Sequence, residues 1–312
     1  MSRFSYLFFA AFFSAAPLFA ETDDDALLEA LWPAVSSAPE GVRPRTGIAL
    51  AGGGARAFSH TGVLQVIHDS GFPIDLVSGT SMGSVIGAYY SAGRNFDELW
   101  KFGSEAKDMQ LGKDFKGIQL LSLLLNDRFM KPVRITDFIS RTFGDMYFEQ
   151  LKKPFACTAV DILSGERLVF STGRLAEAVR ASVNIPGLFE PVEYMHRYLV
   201  DGGVTDNLPV DVVKHMGAEY IIASLAENNV AEVPTNVLTV LMRVIDIRGG
   251  MIAAEAKKQA DFVVSPSVNG IGTADFSRCT EAGEAGLVAM NAKIKALKQS
   301  YAEAALPEIF AR

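Results

Sequence analysis

IDLVSGTSMGSVIGAYYSAG, residues 74–93, decides the fold of this chain. The apolar run IDLV reads as a strand ending at Gly79, and from Ser81 the apolar spacing lengthens to that of a helix. Between the two, GTSMGS (79–84) sets a serine at the bend in the pattern G-x-S-x-G. A serine at such an elbow is forced into a tight backbone, and Gly79 and Gly83 remove the Cβ atoms that would hold strand and helix apart. The N-terminus of the following helix favours negative charge on the serine or on an adduct. Taken alone, the same residues also describe a glycine-rich turn with no chemistry.

Just upstream, GIALA (47–51) is a short apolar strand, GGG (52–54) a turn, and ARAFSHTGVLQVIHDSG (55–71) a helix. Strand, helix, strand, helix with tight turns implies parallel strands joined by right-handed crossovers. The expected fold class is therefore α/β: three α/β/α layers around a mainly parallel central sheet. Turns at the carboxyl ends of neighbouring parallel strands open on one crevice, so Gly52, Gly53 and Gly54 should face Ser81. Their unshielded N–H groups could hold a tetrahedral oxyanion. A nucleotide-phosphate cradle fits less well, because GGGARA lacks both the Lys-Ser/Thr pair of a P-loop and the last glycine of G-x-G-x-x-G. Arg56 is open to two roles, steadying the loop or meeting a substrate phosphate.

Downstream, PFACTAVDI (154–162) and ERLVFSTG (166–173) read as a hairpin, and the helix LAEAVRASV (175–183) leads to NIPGLFEPVEY (184–194). RYLVDGG (197–203) ends a strand at Asp201, and Gly202 and Gly203 make a second strand-end turn that should open on the same crevice. Partial burial would raise the Asp201 carboxylate pKa and suit it to take a proton from Ser81. The four histidines are less apt: His60 and His68 fall on one helix, His196 in a polar turn and His215 on the helix VDVVKH. A Ser, Asp, His order would need a histidine on a loop after a late strand. A long helix at about 236–258, the strand ADFVVSP (260–266) and a terminal helix over 283–305 complete the pattern.

At −7 formal charge and a pI near 5.2, the chain as a whole is not built to attract nucleic acid. Residues 1–20 carry Arg3 and then an apolar run interrupted by Pro17, the pattern of a secretory signal peptide, so export to a periplasm or the exterior is expected. Residues 21–45, with a short helical stretch ALLEALW (26–32), read as a connector, and 46–312 as one domain. Two cysteines, Cys157 and Cys279, exclude a disulfide framework and a cysteine-based metal site; they either pair or are small buried hydrophobes. Ten Lys/Arg against seven Asp/Glu between Lys101 and Lys153 make that region locally cationic, and it contains IQLLSLLL. Residues 113–134 are accordingly a candidate for transient contact with a membrane surface, or else a core helix.

GGGARAFSHTGVL, GTSMGS, SVNIPGLFEPV and LVDGGVTDNLPV, in that order, resemble the blocks of the patatin-like phospholipase family, and the likeness runs from about Thr46 to Ser265. The resemblance implies a lipid acyl hydrolase with a Ser-Asp dyad and no catalytic histidine; these residues require no metal, and no cofactor is expected. It implies Ser81 as nucleophile, Asp201 as proton acceptor, the Gly52–Gly54 backbone as oxyanion hole, and a lipid acyl ester as substrate. Ala57 stands where the family usually has glycine.

Overall fold

The computed structural model describes residues 21–108, 129, 131–228, 233 and 237–310. The expected signal segment and most of 113–134, including IQLLSLLL, lie outside the described residues.

Strands β1 (Thr46–Leu50), β2 (Leu76–Thr80), β3 (Phe155–Asp161), β7 (Tyr220–Ser224) and β8 (Phe262–Val264) run parallel in the order β3-β2-β1-β7-β8. Every residue of β1, β2, β3 and β7 is buried, so the period of two has two apolar faces to serve. Ile48, Leu50, Val77 and Ile222 point into the larger core, while Ala49, Leu76, Ile221 and Ala223 point into the second. Helices α2 (Ser59–Asp69), α3 (Met82–Ser91), α4 (Phe96–Asp108), α9 (Cys279–Asn291) and α10 (Ile294–Phe310) supply the first layer. Helix α7 (Val210–His215) and the C-terminal part of α8 (Val237–Ala256) supply the second. The three-layer α/β/α expectation therefore holds.

Close approach explains several glycines. A Cβ on Gly286 would overlap the Ser59 carbonyl and one on Gly62 would overlap the Gly283 carbonyl, so α2 and α9 pack backbone to backbone. On the other face, a Cβ on Gly47 would lie 2.6 Å from a Val213 methyl and hold α7 off the sheet.

Residues 21–45, expected as a connector, include α1 (Glu21–Ser37), which runs through Pro33. Trp32 and Val35 of this helix are buried in the larger core, with Trp32 stacked on Phe72 at 5.6 Å and its indole N–H donating to the Ser70 carbonyl. Arg43 then forks onto both carboxylate oxygens of Asp75 at 2.7 and 2.8 Å, and Asp75 also accepts the Thr46 N–H. The segment thus packs with the sheet it precedes. The terminal helical stretch is two helices, α9 and α10, broken at Ala292 and Lys293. Cys157 and Cys279 are free and buried, so they act as small hydrophobes.

Three antiparallel strands complete the sheet: β4 (Arg167–Phe170), β5 (Val192–Tyr194) and β6 (Arg197–Asp201). Their registers carry the functional geometry. Along one flank, β3 pairs with β4 from Cys157 to Val160. Along the other it pairs first with β2, up to Thr80↔Thr158, and then with β6, from Ala159↔Asp201 to Asp161↔Leu199. Since Ala159 and Val160 pair with both β4 and β6, β6 lies in the same lane as β2, and the two strands meet head to head.

Candidate active site

The sequence suggested that Asp201 reaches the crevice because strand ends converge there. The location is as expected, but the reason is different. β6 is antiparallel to β3, so its carboxyl end points back toward the end of β2. β3 overhangs β2 by three residues, and β6 pairs only with that overhang; the end of one strand therefore abuts the end of the other.

Ser81 stands at the collision point with φ 53° and ψ −132°, a conformation rare for a side-chain-bearing residue. It is held there from several sides. Its N–H donates to Ser182 Oγ at 2.9 Å, and its carbonyl accepts the Ser84 N–H at 2.8 Å and the Ser84 hydroxyl at 2.6 Å. A Cβ on Gly79 would sit 2.6 Å from the Gly83 carbonyl oxygen, and one on Gly83 would sit 2.5 Å from that of Leu50. Both glycines thus let the helix fold back over its strand.

The Ser81 hydroxyl donates to Asp201 Oδ2 at 2.5 Å. Asp201 Oδ1 accepts the Gly203 N–H at 2.8 Å, and the Asp201 N–H donates to the Asn184 carbonyl at 2.8 Å. Gly202 presses on β3, where a Cβ would lie 2.6 Å from the Thr158 carbonyl oxygen. Burial pushes the Asp201 pKa up to about 6, while the hydrogen bonds from Ser81 and Gly203 pull the other way. The carboxylate is thereby a stronger base than a solvated aspartate and is still ionised at neutral pH.

The three loop glycines do not act alike. The Gly52 N–H donates to the Asn207 carbonyl at 3.0 Å and is not available to a ligand, contrary to the expectation for all three. What Gly52 contributes is room, because a Cβ there would lie 3.0 Å from Ser81 Cβ and 2.7 Å from Asn207 Oδ1. The N–H groups of Gly53 and Gly54 have no acceptor among the described residues. Gly54 has φ 57°, and the next amide, that of Ala55, donates to the Thr273 carbonyl at 2.9 Å. Arg56 steadies this loop: its guanidinium reaches the Gly53 carbonyl, Thr273 Oγ1 at 2.8 Å and Asp246 on α8 at 2.5 Å. Ala57 is buried in the 3₁₀ turn Gly54–Phe58, where a methyl group is accommodated.

No histidine lines the cavity around Ser81 and Asp201. His215 is exposed and bonds the Asp211 carbonyl of its own helix; His68 and His196 are exposed. His60 is fully buried, with Nε2 donating to the Ala51 carbonyl and Nδ1 accepting from Ser224 Oγ, and burial drops its pKa to about 4. It braces the strand end that carries the glycine loop.

The residues missed in the sequence are the braces. Asn184 is fully buried; its amide donates to the Glu190 and Leu199 carbonyls, and its Oδ1 accepts from Arg180. A polar residue in the apolar SVNIPGLF was the available signal. Asn207 and Ser182 hold the loop and the elbow through contacts far apart in sequence, which no local pattern announces.

Ser81, Asp201 and the glycine loop open on a cavity of about 360 Å³. Met82, Ile135, Val183, Ile185 and Phe276 give it apolar walls, and Arg243, Lys257 and Glu227 lie among its polar lining. Its size is at the lower end of the range for small-molecule sites. Among the described residues no three His, Cys, Asp or Glu side chains are grouped to hold a metal ion.

Residues 48–214 match the model of the patatin-like phospholipases. An uncharacterized NTE family protein of Mycobacterium tuberculosis is 34% identical over 181 residues, covering 58% of this chain and 48% of that one. The lysophospholipase NTE1 of Meyerozyma guilliermondii is 34% identical over 177 residues, 57% of this chain and 12% of that one. The chain thus spans about half the length of the mycobacterial relatives it matches, and less of the fungal one. Among solved structures, VipD from Legionella pneumophila is similar at TM-score 0.48 and 14% identity, covering 82% of this chain and 68% of that one. Human GIVD cytosolic phospholipase A2 is similar at TM-score 0.48 and 12% identity, covering 93% and 65%. By the match that takes in elbow, glycine loop and Asp201 alike, the chain belongs to the patatin-like phospholipase family.

Proposed function

We propose that the protein is a serine lipid acyl hydrolase that cleaves fatty-acyl esters of phospholipids or lysophospholipids through a Ser81–Asp201 dyad. The observation that carries the reading is the 2.5 Å contact between Ser81 Oγ and a buried carboxylate in a cavity with no histidine. Ser81 Oγ attacks the ester carbonyl carbon while Asp201 takes its proton, and the Gly53 and Gly54 N–H groups face the oxyanion. Collapse of the tetrahedral adduct expels the alcohol or lysolipid, protonated by Asp201. Water, deprotonated by the same carboxylate, then releases the fatty acid and restores the serine. Residues 113–134 are proposed to touch the membrane transiently, and the protein to be exported.

The reading is tested by incubating the purified protein with a fluorophosphonate and with a panel of acyl esters. One adduct per chain, on the peptide that contains Ser81, together with hydrolysis of long-chain acyl esters, is expected. Labelling elsewhere, or no turnover of any ester in the panel, overturns the proposal.

The pH profile is a second check. Asp201 must be ionised to accept the proton, and its pKa stands at about 6. kcat/KM is expected to rise with pH through a single ionisation near 6, falling about tenfold per unit below it. His60, buried near pKa 4, does not titrate in that window, so a limb centred near 4 would point away from Asp201.

A further inference from the structure

Helix α8 has two faces of different character. Asp246 and Gly249 line the catalytic cavity, and Ala253, on the same side, is fully buried. On the opposite side Val240, Val244, Ile247 and Met251 are 49, 57, 50 and 69% exposed. At 3.6 residues per turn these four fall within a wedge of about 60°, a continuous apolar stripe along three turns. Stability of the isolated chain gives no reason for such a row in water.

Among the described residues, the charges beside the stripe have one sign left over. Asp246 is occupied by Arg56, and Glu255 is bonded to Lys258 at 2.8 Å. Arg248 lies next to Val244 on the exposed side and donates to the Val204 carbonyl. Arg243, which lines the cavity, makes no hydrogen bond or ion pair with the described residues. A second helix at the same cavity also lies beside exposed apolar residues. α5 (Val133–Phe143) contributes Ile135 to the lining, while Phe129 and Val133 are 54 and 49% exposed beside exposed Lys131 and Arg134.

We propose that the outer face of α8 is a docking surface for a lipid bilayer with anionic phosphate headgroups, seated beside the mouth of the catalytic cavity. This rests on the acyl-hydrolase reading above, since the lipid is then both the surface and the source of substrate. The apolar stripe enters the acyl boundary, Arg248 meets headgroup phosphates, and Arg243 meets the phosphate of the lipid drawn into the cavity. In a two-fold dimer this face would meet its own copy, cation against cation, so the cations favour an anionic lipid surface over a second copy.

The test is co-flotation of the full chain with phosphatidylcholine/phosphatidylglycerol vesicles, alongside hydrolysis of a water-soluble, monomeric short-chain ester. Val244→Asp with Ile247→Asp is expected to lower the vesicle-bound fraction at least tenfold while turnover of the soluble ester stays within twofold. Val244→Ser with Met251→Gln, a milder pair should the first misfold, is expected to lower it at least threefold. Vesicle binding unchanged in both pairs, or absent in the wild type, overturns docking. A wild-type dimer that the variants dissociate with vesicle binding intact assigns the face to a second copy and also overturns it. Wild type that floats, variants that do not, and no ester cleaved by any of them would leave docking standing and remove the hydrolase reading instead.

Discussion

Asp201→Asn is expected to lower kcat on an acyl ester by about 10³- to 10⁴-fold, because it removes the carboxylate that touches Ser81 Oγ and leaves an amide that cannot accept the proton. Ser81→Ala should bring activity to background, and the double variant should be no worse than Ser81→Ala, since nucleophile and base act as a unit. His215→Ala, by contrast, should leave turnover intact. An Asp201→Asn enzyme with much of its activity, or a His215→Ala enzyme without any, would remove the dyad from the mechanism. The same substitution has an opposite effect on stability. The pKa of Asp201 is raised from 3.8 to about 6 by burial, so the protein is stabilised by keeping this group neutral. That contribution is complete below pH 3.8 and is lost as pH rises through 6, to a limit of about 3 kcal/mol. Asparagine stays neutral throughout, so Asp201→Asn should melt several degrees higher at pH 8 and at nearly the wild-type temperature at pH 4. Inactivation with stabilisation is the signature of a residue kept for chemistry.

The second large effect lies far from the chemistry. Arg43→Ala is expected to destabilise the fold by about 3–5 kcal/mol, read as a fall in the denaturant midpoint at unchanged m-value. Arg43 and Asp75 have side chains only 7 and 8% exposed, so truncation leaves a buried carboxylate without its counter-charge. Burial drives the Asp75 pKa up, but hydrogen bonds from Arg43 and Thr46 more than reverse this and hold it below its ordinary 3.8. The stabilisation is therefore present above that value and is lost as pH falls through the depressed one. Arg43→Met with Asp75→Asn should recover much of the loss; a loss no smaller than that of Arg43→Ala alone would assign the effect to the hydrogen bond that Arg43 donates to the Tyr301 hydroxyl.

Much of this site can be read in the sequence because its glycines are local requirements. Gly79 and Gly83 are needed wherever a strand turns straight into a helix, and that need is written within five residues. Asp201 was legible as a strand-end carboxylate, though convergence of parallel strands was the wrong reason, because strand sense is set by pairing with β3 and not by β6 itself. Gly52 shows the opposite limit: whether an amide is free depends on Asn207, 155 positions away, and tripled glycine says nothing about that. The N-terminal helix was legible only as far as ALLEALW, because Pro33 reads as a stop although the helix continues past it.

The shared lane beside β3 makes chain length in the β5–β6 hairpin a determinant of chemistry. Deleting one residue between the Met195–His196 turn and Asp201 would swing the carboxylate to the other face of the sheet, and deleting two would restore the face but withdraw the group by about 7 Å. Every substitution in this hairpin leaves that spacing alone, whereas any insertion or deletion changes it. Drift by point change and drift by length change are thus unequal hazards for this protein, and directed evolution of the hairpin should vary its letters and keep its count.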